Sequence, residues 1–224
     1  MLRLNQFGGF GVARNLTAAI TFIGHNTTLV TGGTSHSHTS VNLGSAASGD
    51  YVAVIIHTNV GGTPSFSSLV IDGVAGVFNI QAGFTNGLHV AIGIAGPITN
   101  SSGTISYNLG TSTNNESVLA TWRISGIPGT TAHATASDID GSNPQTLSLA
   151  VTAGGVALAG LTCLSAATTW SGGVTEKYDA TTGLGSRRAS GASDDQASAT
   201  TLSISAANSD GANLRTIGAS WAAG

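Results

Sequence analysis

Apolar and polar residues alternate along most of this chain, and the pattern restarts after a turn signal every few residues. Within 117–124, Val118, Ala120, Trp122 and Ile124 share one face, and Ser117, Leu119, Thr121 and Arg123 share the other. Near the end of the chain, Ile217, Ala219 and Trp221 fall on one face in the same way. A period of two specifies strands, and almost no stretch carries the spacing of an amphipathic helix. Residues 50–58 are nearly continuously apolar, as expected of a strand covered on both sides. The same reading predicts strands at 18–23, 28–31, 68–71, 76–80, 88–95, 104–109, 146–151, 155–164, 174–178, 200–205 and 213–221.

Between these runs stand Gly32-Gly33, Asp72-Gly73, Asn86-Gly87, Gly96-Pro97, Pro128-Gly129, Asp140-Gly141 and Asp210-Gly211. Asp-Gly and Asn-Gly accept the positive φ angles of hairpin turns. Many short strands at such spacing predict an all-β chain, an antiparallel β-sandwich of jelly-roll-like form. The expected organisation is an extended N-terminal arm, 1–16, and one β-sandwich domain, 17–224. A loose echo divides that domain into halves at about 17–127 and 128–224. Val41-Asn42-Leu43 leads into 50–56 and Leu147-Ser148-Leu149 into 155–161; the halves close on Trp122 and Trp221. The echo fits either two similar units or the common grammar of sandwich strands. In the arm, Leu4, Phe7 and Phe10 are candidate anchors on the chain's own domain or on a neighbouring subunit.

Only 8% of the 224 residues are charged, Lys177 is the single lysine, and the formal net charge is −3. An average globular chain is about 25% charged. So mild an acidity gives no electrostatic footprint for nucleic acid. No run is apolar for the ~18 residues of a membrane helix, and 1–10 lack the core of a signal peptide. Neither a nucleic-acid nor a membrane partner is expected.

Candidate chemistry is sparse. His36 and His38 would share a strand face, but no third ligand is evident nearby, and their Gly/Ser/Thr surroundings suggest a solvated loop. Asp138-Ile139-Asp140-Gly141-Ser142-Asn143 lacks the distal acid of a calcium loop and reads as a turn closed by Asx bonds. Neither a metal nor another cofactor is expected. No nucleophile elbow, zinc motif or phosphate-binding loop occurs, and Asp194-Asp195 would point to opposite faces of a strand. An enzyme is therefore not expected. Cys163, the only cysteine, lies in an apolar run and reads as a buried small hydrophobe. Arg187-Arg188 reads as surface or intersubunit ion-pair material. Trp122 and Trp221 read as core. Trp170 and Tyr178, in the loop-like stretch 169–179, are the best candidates for a glycan-binding surface; otherwise Trp170 plugs one end of the sandwich.

A further pattern unites the second half. It runs Leu147-Ser148-Leu149, Gly154-Gly155-Val156-Ala157-Leu158-Ala159, Thr169-Trp170-Ser171-Gly172, Tyr178-Asp179, Ala189-Ser190 and Gly218-Ala219-Ser220-Trp221. With Ser40-Val41-Asn42-Leu43 and 48–55 in the first half, it resembles structural proteins of tailed bacteriophages and gene-transfer-agent-like particles across roughly 18–222. The resemblance implies a non-enzymatic virion protein, foremost a capsid decoration or head-surface protein on the particle exterior, assembled in the host cytoplasm. Its implied partners are the major capsid protein or other virion proteins and further copies of itself, a trimer above other states. A tail-fibre or baseplate component is the related alternative. A carbohydrate-binding module for host glycans is the alternative of another class.

Overall fold

A strand with an apolar face needs a cover, and one with two apolar faces needs two. The computed structural model describes residues 17–27, 33–45, 47, 49–60, 62, 64–83, 87–110, 113–164, 166–181, 187–209 and 214–224. Its elements are strands throughout. The first eight are β1 (Ala19–Asn26), β2 (Ser35–Asn42), β3 (Tyr51–Val60), β4 (Ser67–Ile71), β5 (Val74–Gly83), β6 (Leu88–Ala95), β7 (Ser102–Asn108) and β8 (Thr113–Ser125). The last eight are β9 (Ala134–Asp138), β10 (Gln145–Val151), β11 (Gly155–Cys163), β12 (Thr168–Ser171), β13 (Thr175–Thr181), β14 (Arg188–Gln196), β15 (Thr200–Asn208) and β16 (Arg215–Trp221).

The first eight form one antiparallel sheet in the order β1-β8-β3-β6-β5-β4-β7-β2. It folds over at the β4–β5 hairpin, so β2-β7-β4 covers β8-β3-β6. Val41, Leu43, Val52, Val54, Ile56, Leu69, Ile71, Ile105, Tyr107 and Leu119 fill the space between. The last eight form two sheets, β13-β14-β11-β16-β9 and β10-β15-β12. Leu147, Leu149, Ala157, Leu161, Trp170, Leu202 and Ile204 pack between those. In both units the first, eighth, third and sixth strands lie side by side, and the second, seventh and fourth make the facing layer. This is jelly-roll connectivity, so the described chain is all-β and holds the same topology twice.

A third core joins the units. Ala53, Ile55, Val90, Ile92, Val118, Ala120 and Trp122 from the first meet Val156, Leu158, Tyr178, Ile217, Ala219 and Trp221 from the second. The result is four stacked layers with three apolar seams. Strand β3 shows why 52–56 are apolar at every position: Val52, Val54 and Ile56 face into the first unit, and Ala53 and Ile55 face the second. Each fully buried Val, Leu or Ile contributes roughly 1.5–3 kcal/mol. Trp122 and Trp221, expected in the core, both lie in this joint.

Two expectations need correction. The His36–His38 stretch is a strand, β2, rather than a loop, because its imidazoles take the inward positions usually held by Val or Ile. The stretch 169–179 is two strands around a tight turn rather than a loop. Leu4, Phe7 and Phe10 lie outside the described residues, as does 28–31, predicted as a strand.

Candidate functional site

Trp170 and Tyr178 are only 8% and 5% exposed and belong to different cores. They do not form a surface platform for a sugar ring. Their common neighbour is β14, whose run Ala189-Ser190-Gly191-Ala192-Ser193 is buried throughout. These small residues are sockets for large rings. Trp170 Nε1 donates to Ser190 Oγ at 2.7 Å, and Ser190 Oγ donates to the Tyr178 carbonyl at 3.0 Å. Trp122 Nε1 donates to Ser193 Oγ at 3.1 Å. A Cβ on Gly191 would run into the Tyr178 ring. Hydrophobic periodicity misses β14 because small side chains carry little of that signal.

Tyr178 is the centre of the joint between the units. Its ring lies 5.8 Å from Phe22, 5.4 Å from His25 and 5.9 Å from Trp122. Its hydroxyl is 2.5 Å from His57 Nε2. Burial lowers the His57 pKa to about 3 and raises that of Tyr178. The imidazole is therefore neutral, and the phenol donates to Nε2. His57 Nδ1 is buried with no hydrogen-bond partner, a cost of about 1–3 kcal/mol. The joint is thus tight, aromatic and pinned by one polar contact.

The rings of His36 and His38 both stack with Tyr107, with centroids 5.4 and 5.9 Å away. Burial lowers His38 to about 4, and neighbouring His36 adds to the shift. Burial also lowers His36, partly offset by the Gly33 backbone, although neither ring nitrogen has a partner in hydrogen-bond geometry. Both are neutral imidazoles packed on an aromatic ring, and His38 Nε2 lies 3.4 Å from the Tyr107 hydroxyl. Among the described residues, no group of three His, Cys, Asp or Glu side chains could hold a metal ion.

The Asp138–Asn143 stretch closes on itself. Asp138 accepts from the amides of Asp140 and Thr146 and from Gln145 Nε2. Asp140 accepts from the amide of Ser142. Asn143 and Asn208 exchange two bonds. Asp194 accepts from Thr175 Oγ1, whereas Asp195 reaches across the joint to the Ile20 amide at 2.8 Å. Arg188 pairs with Asp179 of the same chain at 3.0 Å. Cys163 is buried, with Sγ 3.5 Å from the Ala166 carbonyl. Arg123, 5% exposed, donates to the carbonyls of Leu43, Ile98, Gly44 and Asn100 and holds two loops against β8.

What remains open is a seam. The end strands of the eight-stranded sheet, β1 and β2, approach each other without pairing. Thr121 Oγ1 lies 3.4 Å from the Gly24 carbonyl on β1 and 3.1 Å from the Asn42 carbonyl on β2. Two hollows follow this seam. One, of about 300 Å³, is lined by Ala19, Thr21, Ile23, Ser45, Asp50, Arg123 and Ser125. The other, of about 280 Å³, is lined by Ile23, Gly24, His25, Asn26, Ser40, Val41, Asn42, Leu119 and Thr121. Ile23 borders both. The sequence carries no sign of this groove, because the Gly, Ser and Thr around His36 and His38 hide the strand that forms one wall.

Fold and site together define a tandem jelly roll in which His36, His38, His57 and Arg123 serve packing and Asp138 and Asp140 serve turn closure. Compared with protein families, curated proteins and solved structures, the chain matches none.

Proposed function

We propose that this chain is a non-enzymatic structural subunit of a phage-like particle, foremost a decoration or head-surface protein that works through subunit contacts. The observation that carries this reading is the character of the two outer layers. On β10 and β15 the exposed positions are Thr146, Ser148, Thr200, Thr201 and Ser203; on β2 and β7 they include Ser35, Ser37, Thr39, Asn42, Ser102 and Thr104. None is charged. Such faces lose no ionic hydration when covered, which lowers the cost of contact with other subunits. Jelly rolls serve in viral capsids and in lectins alike, and fold does not decide between them. The glycan reading loses its motive here, because Trp170 and Tyr178 are occupied in cores.

The partners under this reading are the major capsid protein and further copies of the chain, on the particle exterior. Quantitative mass spectrometry of gradient-purified particles, with heads and tails separated, tests it. Hundreds of copies with heads are expected. A few to tens of copies with tails would move the protein to a fibre or baseplate. Absence from particles would end the virion reading.

A further inference from the structure

The second strand of each unit holds the same place and is filled differently. In the second unit it is β10, whose inward positions are Gln145, Leu147, Leu149 and Val151. In the first unit it is β2, whose inward positions are His36, His38 and Val41. The stretch 35–38 thus brings no aliphatic side chain to the core. Its backbone pairs with β7 alone: Ser35 with Asn108, His36 with Tyr107, Ser37 with Ser106 and His38 with Ile105. Just before it, Leu109 N donates to the Thr34 carbonyl. Just after it the register shifts ahead of Val41, and Ser40 stands in the left-handed region at φ 55°. This is half of an edge strand, bounded by a bulge and seated on two imidazoles.

Those imidazoles are 3% and 4% exposed and share the Tyr107 ring. A buried imidazolium without a counter-charge is costly. The Tyr107 face attracts one cation, but two side by side repel each other. The titratable or charged residues on the surrounding elements are Tyr107 on β7, His89 on β6, His57 and the preceding Asp50 on β3, Glu116 and Arg123 on β8, and His25 on β1. Strands β4 and β5 carry none. His57 and His25 meet Tyr178 in the joint. Asp50 accepts from the Ala47 amide and Arg123 bonds at Leu43 and Gly44, beyond the far end of β2. The charge that opposes protonation of His38 comes from His36.

We propose that 35–38 is an acid-released edge: protonation of His36 and His38 detaches it from β7, with Thr39-Ser40 as the hinge, while the second unit stays folded. Release bares the Tyr107 ring and the β7 edge, and an open edge is a template for a strand of another chain. Linkage sets the direction. His38 has a folded value of about 4 and burial lowers His36 as well, both below the released 6.5. The released form binds more protons in that window. Opening is therefore suppressed above pH 6.5 and grows by up to about tenfold per pH unit per histidine as pH falls toward 4. This goes beyond the structural-subunit reading and holds or fails without particles.

Hydrogen exchange of the full-length protein, followed by mass spectrometry, tests it. Between about pH 7 and about pH 4.5, the amides of 35–38 that pair with β7 should lose about tenfold or more in protection factor, while β10 keeps its own. His36→Leu with His38→Leu should retain protection at 35–38 in acid. Equal loss in β2 and β10 is general acid unfolding and overturns the proposal. Unchanged protection at 35–38, or a loss that persists in the double variant, overturns it too. If the double variant does not fold, the contrast between β2 and β10 in the unaltered protein decides alone.

Discussion

The two units share a strand order and differ at one connection. In the first, β4 passes to β5 through Asp72-Gly73, with φ of 51° and 79°. Two residues with positive φ make the tight turn that keeps a hairpin paired, and β4 and β5 stay in one sheet. In the second, β12 passes to β13 through Gly172-Gly173-Val174, with φ of 83° and 90° at the glycines. Val174 turns into the core, and β12 and β13 part into different sheets. One added residue, carrying one apolar side chain, separates a curled continuous sheet from an open sandwich. Loop chemistry therefore sets how a jelly roll closes, while alternation sets its strands.

Substitutions can break this contrast. The largest effect is expected for Trp170→Ala, which empties the second unit beside Val174. About 3–5 kcal/mol should be lost in urea unfolding, as a packing defect. Next comes Gly172→Ala, where the new Cβ would overlap the Ser203 carbonyl at positive φ. Left-handed strain and the clash together should cost about 2–4 kcal/mol. Gly73→Ala, in open space at φ 79°, should cost only about 1–2 kcal/mol by the same measurement. Equal losses at the two glycines would remove the distinction between the turns.

Tyr178→Phe sharpens a different contrast, between a unit and the joint. It leaves His57 Nε2 unpaired and should cost about 1–3 kcal/mol, with both units loosening together in hydrogen exchange. Acid should act on the joint through His57 and on the first unit through His38. His57 and His38 have folded values of about 3 and about 4, below the unfolded 6.5. The unfolded chain thus binds more protons in that window. Stability is complete above pH 6.5 and falls as pH drops toward 4 and 3, by up to about 1.4 kcal/mol per pH unit per histidine. His57→Gln should flatten that slope in a pH series of urea midpoints, whatever it costs at neutral pH.

Much of the fold was legible because β3, β6 and β11 are apolar at nearly every position, and the Asp-Gly and Gly-Gly pairs mark the turns. What stayed hidden was carried by small or polar residues. In β14, Ser and Gly make room for rings that come from other strands, so its pattern makes sense only beside Trp122, Trp170 and Tyr178. In β2, the inward positions are histidines, which no hydropathy period reveals. The glycan candidates failed for the same reason: an aromatic beside Gly and Ser looks exposed until the partner that uses the space is known.

The doubly covered inner sheets also matter for synthesis. When the first unit is complete on the ribosome, the face bearing Ile55, Val90, Ile92 and Trp122 still awaits its cover. The remaining ~100 residues take roughly 5–20 s at 5–20 residues per second. For that interval the nascent chain presents a sheet-sized apolar surface in a crowded cell. A gene cut after residue 127 would make that exposure permanent, yielding an aggregating sheet instead of a smaller protein.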